Sequence, residues 1–181
     1  MTNLLESEDF DDPEEDKAMS SRNHAIVQGR LAGYFYFMVR NFSAPTELSL
    51  DMTLPNRQKL LKKYDAHTTR ELKPAVAIFY AKDFGFLKRA KGPDPKRVKE
   101  VPLAVFEIIS PSQSSWEILN KFNVYFDLGV KSCWMIDPNV TGIWVYHGIE
   151  NFNYFSLTGE VVDDILKVRI PLDVIFCENQ N

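Results

Sequence analysis

Two near-continuous apolar runs constrain this chain most: Ala75-Val76-Ala77-Ile78-Phe79-Tyr80 and Leu103-Ala104-Val105-Phe106-Glu107-Ile108-Ile109. Each has the length of a strand and neither alternates polar with apolar, so each reads as a strand buried on both faces. Strands of that kind need cover above and below. The segments around them supply it in the order helix, three strands, helix, further strands, which predicts an α/β fold with a mixed central sheet flanked by helices.

The first helix opens at Ser21 or Asn23, carries Ile26, Val27, Leu31, Phe35, Met38 and Val39 at three- and four-residue steps, and stops near Asn41. Glu47–Met52 alternates polar and apolar, predicting a strand with one wet face on which Glu47 and Asp51 point the same way. Residues 55–73 are lysine-rich, a loop or a short helix, and a long basic loop with Gly92-Pro93-Asp94-Pro95 follows Tyr80. Beyond Ser110-Pro111-Ser112, Ser114 or Ser115 caps a helix over about 116–128 that ends at Gly129. Short strands are predicted over Ser132–Asp137, Ile143–His147 and Phe152–Leu157, with a small edge strand at Val168–Ile170.

The 181 residues suit one domain, and the net charge of −4 hides an asymmetry. Residues 1–17 hold eight acids and one base, net −7, whereas the remainder is +3. The expected division is an acidic tail over 1–18, poorly ordered in isolation, and a folded domain over 19–181. No apolar run approaches the roughly 20 residues of a membrane span, and the acidic start is unlike a signal peptide, so a cytoplasmic protein is expected. Cys133 and Cys177 are isolated and the three histidines scattered, so no zinc or histidine-ligated site is expected; both thiols are read as free and at least half buried.

Glu107 is the only charge in its apolar run. A carboxylate there is costly unless a cation, a metal or a lysine partners it. It can also face solvent or serve a structural pair, and burial alone does not choose. Its place near the carboxyl end of a strand is where open α/β sheets set their sites. The next helix presents Glu117, Lys121 and Tyr125 at i, i+4 spacing on one face, so Lys121 can approach Glu107 or pair with Glu117.

Three segments carry a resemblance: Ala104-Val105-Phe106-Glu107-Ile108-Ile109-Ser110-Pro111-Ser112, Lys121-Phe122-Asn123-Val124-Tyr125-Phe126-Asp127-Leu128-Gly129-Val130 and Cys133-Trp134-Met135-Ile136-Asp137-Pro138. In register, with Lys73-Pro74-Ala75-Val76-Ala77-Ile78 and Asn23-His24-Ala25-Ile26-Val27 before them, they resemble the Uma-two family of restriction-endonuclease-like proteins over about residues 20–176. The resemblance implies the PD-(D/E)-x-K nuclease fold and Mg²⁺-dependent hydrolysis of phosphodiesters. In that chemistry an Asp and a Glu hold the metal beside the scissile phosphate, while a lysine orients the attacking water or offsets charge. Glu107 takes the Glu role. Ile109 stands where the motif's own lysine would be; the family moves that lysine to the next helix, where Lys121 matches. Gln113 and Tyr125 are candidates for supporting contacts.

The departure is Ala75, which stands where the family has Asp. Glu47, Asp51 and Asp83 are the acids near enough in sequence to replace it. The second feature is the stretch 57–99, with 13 bases against four acids, a phosphate-contacting surface or a solvated loop. Lys82, Lys88, Arg89, Lys91, Lys96 and Arg97 are its candidate nucleic-acid contacts. Two functions follow: a Mg²⁺-dependent endonuclease acting on DNA and impaired at Ala75, or a non-catalytic nucleic-acid-binding or assembly protein on the same fold. The late aromatics are expected in core and edge packing, with a homodimer contact among the alternatives.

Overall fold

A computed structural model describes residues 21–66, 68, 70–85, 95–110 and 113–177. The acidic tail and Lys88, Arg89 and Lys91 lie outside the described residues. Helix α1 (Arg22–Tyr34) is capped by Ser21, whose Oγ accepts from the His24 amide at 3.2 Å. One wide π-helical turn, Phe35–Val39, ends it at Arg40, whose amide donates to the Phe35 carbonyl. The turn keeps Phe35 buried while Tyr36, Phe37 and Met38 are exposed.

The chain then forms β1 (Phe42–Ser43), β2 (Leu50–Asp51), α2 (Pro55–Lys63), β3 (Glu71–Leu72), β4 (Val76–Tyr80), α3 (Ala81–Phe84) and β5 (Ala104–Ile108). It continues through α4 (Ser115–Leu128), β6 (Ser132–Asp137), β7 (Gly142–Gly148), β8 (Asn151–Ser156), β9 (Glu160–Asp163), β10 (Val168–Pro171) and α5 (Leu172–Phe176). Six strands make the main sheet in the order β1-β4-β5-β6-β7-β8. The pair β5–β6 is parallel, with α4 as the intervening helix, and the other pairs are antiparallel. The sheet is therefore mixed, as its apolar strands predict.

The pleat sorts the core into two layers. Val76, Ile78, Ala104, Phe106, Trp134 and Ile136 pack under α1, α5 and the β9–β10 hairpin. Ala77, Phe79, Val105, Cys133 and Met135 pack under α2 and α4. Glu107, two residues beyond Val105, shares the α4 face by strand alternation.

Several expectations change. Glu47–Met52 is not one strand: Glu47 has φ of 51° in the left-handed region, and only Leu50–Asp51 pairs, with β3. Glu47 and Asp51 therefore share no strand face. Cys133 is buried as expected but Cys177 is exposed. Strand β9 escapes the sequence pattern, and β10 pairs with it in a separate two-stranded sheet. Asp163 at the end of β9 is fully buried. It accepts from Ser132 Oγ, from Trp134 Nε1 at 2.7 Å and from the amides of Ile165 and Leu166, and meets His147 Nε2 at 3.3 Å. The hairpin is thereby fastened to β6 and β7. Trp134 and Tyr146 are core, while Phe152 and Tyr154 on the edge strand are half exposed, ringed against Tyr146 and Trp144.

Candidate functional site

Glu107 occupies the penultimate position of β5 and is 4% exposed. Two residues of α4 meet it. Tyr125 Oη donates to Glu107 Oε1 at 2.8 Å, and Lys121 Nζ stands 3.4 Å from Oε2. The local sequence makes this pairing possible. Ser114 caps α4 and the Glu117 carboxylate closes a capping box by accepting from the Ser114 amide at 3.1 Å. Glu117 is thus engaged at the helix start, and the i+4 lysine turns to Glu107 instead. Gly129 ends α4 with φ of 106°, which returns the chain into β6 beside β5.

Burial first, and the Glu107 charge second, push the Tyr125 phenol well above its ordinary value, so it remains a donor. The Cys133 thiol, paired across from Val105, is likewise pushed well up by burial and then by Glu107 and Asp163, and stays protonated. Gln113 lies in the connection before α4, its amide donating to the Ser110 carbonyl; its side chain makes no hydrogen bond to Glu107 among the described residues.

Ala75 sits at a bend one residue before β4. The β4–β5 pairing ends at Val76↔Phe106, so Ala75 lies level with Glu107 along the neighbouring strand, but the bend turns its side chain to the opposite layer. It is 4% exposed and packs with the α1-side core. Its carbonyl accepts from the Glu47 amide at 3.2 Å and from Gln28 Nε2 at 2.9 Å. Gln28 Nε2 also donates to Glu47 Oε1 at 2.7 Å, and Lys73 Nζ is 3.5 Å from Glu47 Oε2. One turn back on α1 is His24, a buried residue the scattered histidines gave no reason to select. Burial lowers its imidazole below the ordinary value, while the charges of Glu47 and then Glu107 work against that. Of the acids considered as replacements for the missing Asp, Glu47 alone lies at Ala75. Asp51 is engaged elsewhere, accepting from Thr53 Oγ1 at 2.7 Å and from its amide. Asp83 stands in α3, beyond the far end of β4, roughly 15 Å or more along the strand from Ala75.

The basic stretch divides. Arg57 is buried and holds the Asp51 and Lys99 carbonyls. Arg97 pairs with Glu71 at 2.7 Å and Lys63 with Asp127 at 2.9 Å. Lys96 and Lys82 are exposed, the latter 5.7 Å over the Tyr80 ring and at the end of β4 remote from Glu107. A cavity of about 340 Å³ lined by Arg22, Ile26, Arg30 and Phe176 includes none of Glu47, Glu107 or Lys121.

A family model described as "Putative restriction endonuclease" and named Uma2 matches residues 14–167. The chain belongs to the Uma2 family. Among solved structures, it is similar to a "putative nuclease belonging to DUF820" from Anabaena variabilis, with 16% identity, a TM-score of 0.67, and coverage of 88% of this chain and 83% of that one. At that identity the likeness shows the fold: the Uma2 chain and its neighbour share a nuclease-like α/β architecture. No curated protein sequence matches the chain. Among the described residues no helix is long and apolar enough to cross a membrane.

Restriction-endonuclease-like proteins generally use divalent metals. Mg²⁺ takes oxygen donors, commonly one or two carboxylates completed by water and phosphate. No group of three or more His, Cys, Asp or Glu side chains could hold a metal ion among the described residues. Glu107 keeps free lone pairs after its bonds to Tyr125 and Lys121. The donor set fits a hard cation that brings most of its shell as water and substrate phosphate, and does not form an all-protein cage.

Proposed function

We propose that this chain is a metal-dependent endonuclease of the restriction-endonuclease-like type, acting on DNA and weakened by Ala75. The observation that carries the reading is the Glu107–Lys121 pair, a near-buried carboxylate and an ammonium 3.4 Å apart at the end of β5. A purely structural pair in that position is a poor source of stability, because desolvation offsets most of the attraction. Glu107 would hold the metal, which when bound polarises the phosphodiester and activates a water. Lys121, one quarter exposed, would place its charge where negative charge grows on the phosphate. Tyr125 would fix the Glu107 rotamer through its hydroxyl. Lys82, Lys96 and the bases at 88, 89 and 91 would contact the backbone of the nucleic acid.

Ala75 favours a second reading, a nucleic-acid-binding protein that has kept the fold without the reaction. Plasmid cleavage with and without Mg²⁺ or Mn²⁺ separates the two. The chain as it stands cuts weakly, Ala75→Asp cuts more strongly, and Ala75→Asp with Glu107→Ala does not cut. A folded Ala75→Asp protein that cuts no DNA or RNA offered would favour the binding reading.

A further inference from the structure

Position 75 lacks its carboxylate, yet a carboxylate stands beside it. The Glu47 amide donates to the Ala75 carbonyl, and the Gln28 side-chain amide bridges that same carbonyl to Glu47 Oε1, with N–O distances of 2.9 and 2.7 Å. The Glu47 oxygen is thus one side-chain amide away from the Ala75 backbone, which lies level with Glu107 along the neighbouring strand. The backbone is bent to bring it there: φ of 51° at a non-glycine residue lies in the left-handed region, a strained conformation that neighbouring bonds must hold in place. Those bonds are the Glu47–Ala75 pair and the bond from the Ala77 amide to the Pro45 carbonyl, which clamp residues 45–47 onto the start of β4. Lys73 offsets part of the Glu47 charge, and about half of the Glu47 side chain is exposed, so the carboxylate remains open to an incoming ion. The charges of Glu47 and Glu107 both reach the same two side chains, His24 and Tyr125.

We propose that Glu47 supplies the second metal-binding carboxylate that Ala75 cannot, reaching in from the segment between β1 and β2 and held by Gln28. The inference rests on the nuclease-type reading of Glu107. It commits the chain to a partly rebuilt site, in which an acid of the neighbouring segment stands in for the one missing from β4, so that metal binding is weakened by Ala75 and not lost.

The test is Mn²⁺ binding by the full chain, followed by electron paramagnetic resonance without nucleic acid, so that activity plays no part. The chain as it stands binds Mn²⁺. Glu47→Gln weakens binding by roughly tenfold or more, and Ala75→Asp added to Glu47→Gln restores it to about the starting affinity. Circular dichroism checks that each protein is folded, and Glu47→Ala repeats the test should Glu47→Gln fail to fold. If Glu107→Gln abolishes binding while Glu47→Gln leaves it unchanged, the role of Glu47 is overturned and the reading of Glu107 stands. The same holds if Mn²⁺ binds only after Ala75→Asp. If no folded variant, Ala75→Asp included, binds Mn²⁺, the reading of Glu107 falls and takes this inference with it.

Discussion

The Tyr125 hydroxyl donates to Glu107 Oε1 across 2.8 Å, and both groups are buried. The other carboxylate oxygen faces Lys121, one helical turn earlier on α4. Glu107 is thus fixed from one side by a helix and left with lone pairs beside an apolar layer that includes Val105, Cys133 and Met135.

Removing either partner should be felt in stability. Lys121→Met leaves a near-buried carboxylate with one donor, at a cost of about 1–3 kcal/mol. Full burial would raise that cost, but Lys121 is one quarter exposed. Tyr125→Phe should cost about 1–2 kcal/mol by the same reasoning. Urea unfolding of the two variants reads both effects, and no change in either would mean that Glu107 is solvated from elsewhere.

Asp163 makes a stronger demand. Asp163→Ala strands Ser132 and Trp134, 31 and 29 residues away, and the two backbone amides of Ile165 and Leu166 in the adjoining turn. Destabilisation of about 3 kcal/mol or more is expected, with the β9–β10 hairpin losing amide protection first. Hydrogen exchange of Val161 and Ile170 gives the measurement. Equal loss of protection across the whole sheet would contradict a local role.

Acid should weaken the fold through His24. Its folded value lies below histidine's ordinary 6.5, so the unfolded chain binds the extra proton first. The contribution is complete above that ordinary value and declines as pH falls below it towards the folded value. The thermal midpoint should therefore drop between pH 7.5 and 5.5, and His24→Gln should flatten part of that drop. An unchanged pH profile in His24→Gln would show that other groups carry it.

Binding to nucleic acid should fall steeply with salt, because each phosphate contact releases counterions; the slope of log affinity against log salt is about 0.9 per contact on duplex DNA. Charge reversal at Lys88, Arg89 and Lys91 should weaken binding and flatten the slope. Binding indifferent to both would reduce the stretch 57–99 to a solvated loop.

Much of this site is legible in the chain because its signals are local. Glu107 shows itself as the one charge in an apolar strand, and Lys121 and Tyr125 follow from helical spacing. Ser114 and Gly129 mark the ends of α4 by their own backbone chemistry. What is hidden depends on contacts distant in sequence. Glu47 looks like part of an alternating strand, but its bonds to Gln28 and Ala75 come from 19 and 28 residues away and turn it out of that pattern. Asp163 stands beside Asp164 with nothing local to mark it as buried, and its burial is created by Trp134 and Ser132 on β6. Strand β9 is only four residues long, and its Glu160–Asp163 span begins and ends in acids that mask its apolar centre.

The most direct test of the central claim is an anomalous-scattering map from crystals of the chain soaked in Mn²⁺. A metal peak bonded to a Glu107 carboxylate oxygen is expected, with Lys121 beside it and Glu47 reaching the same ion. A well-ordered crystal at high Mn²⁺ with no peak at Glu107, or with the ion held only at a different set of acids, would contradict it.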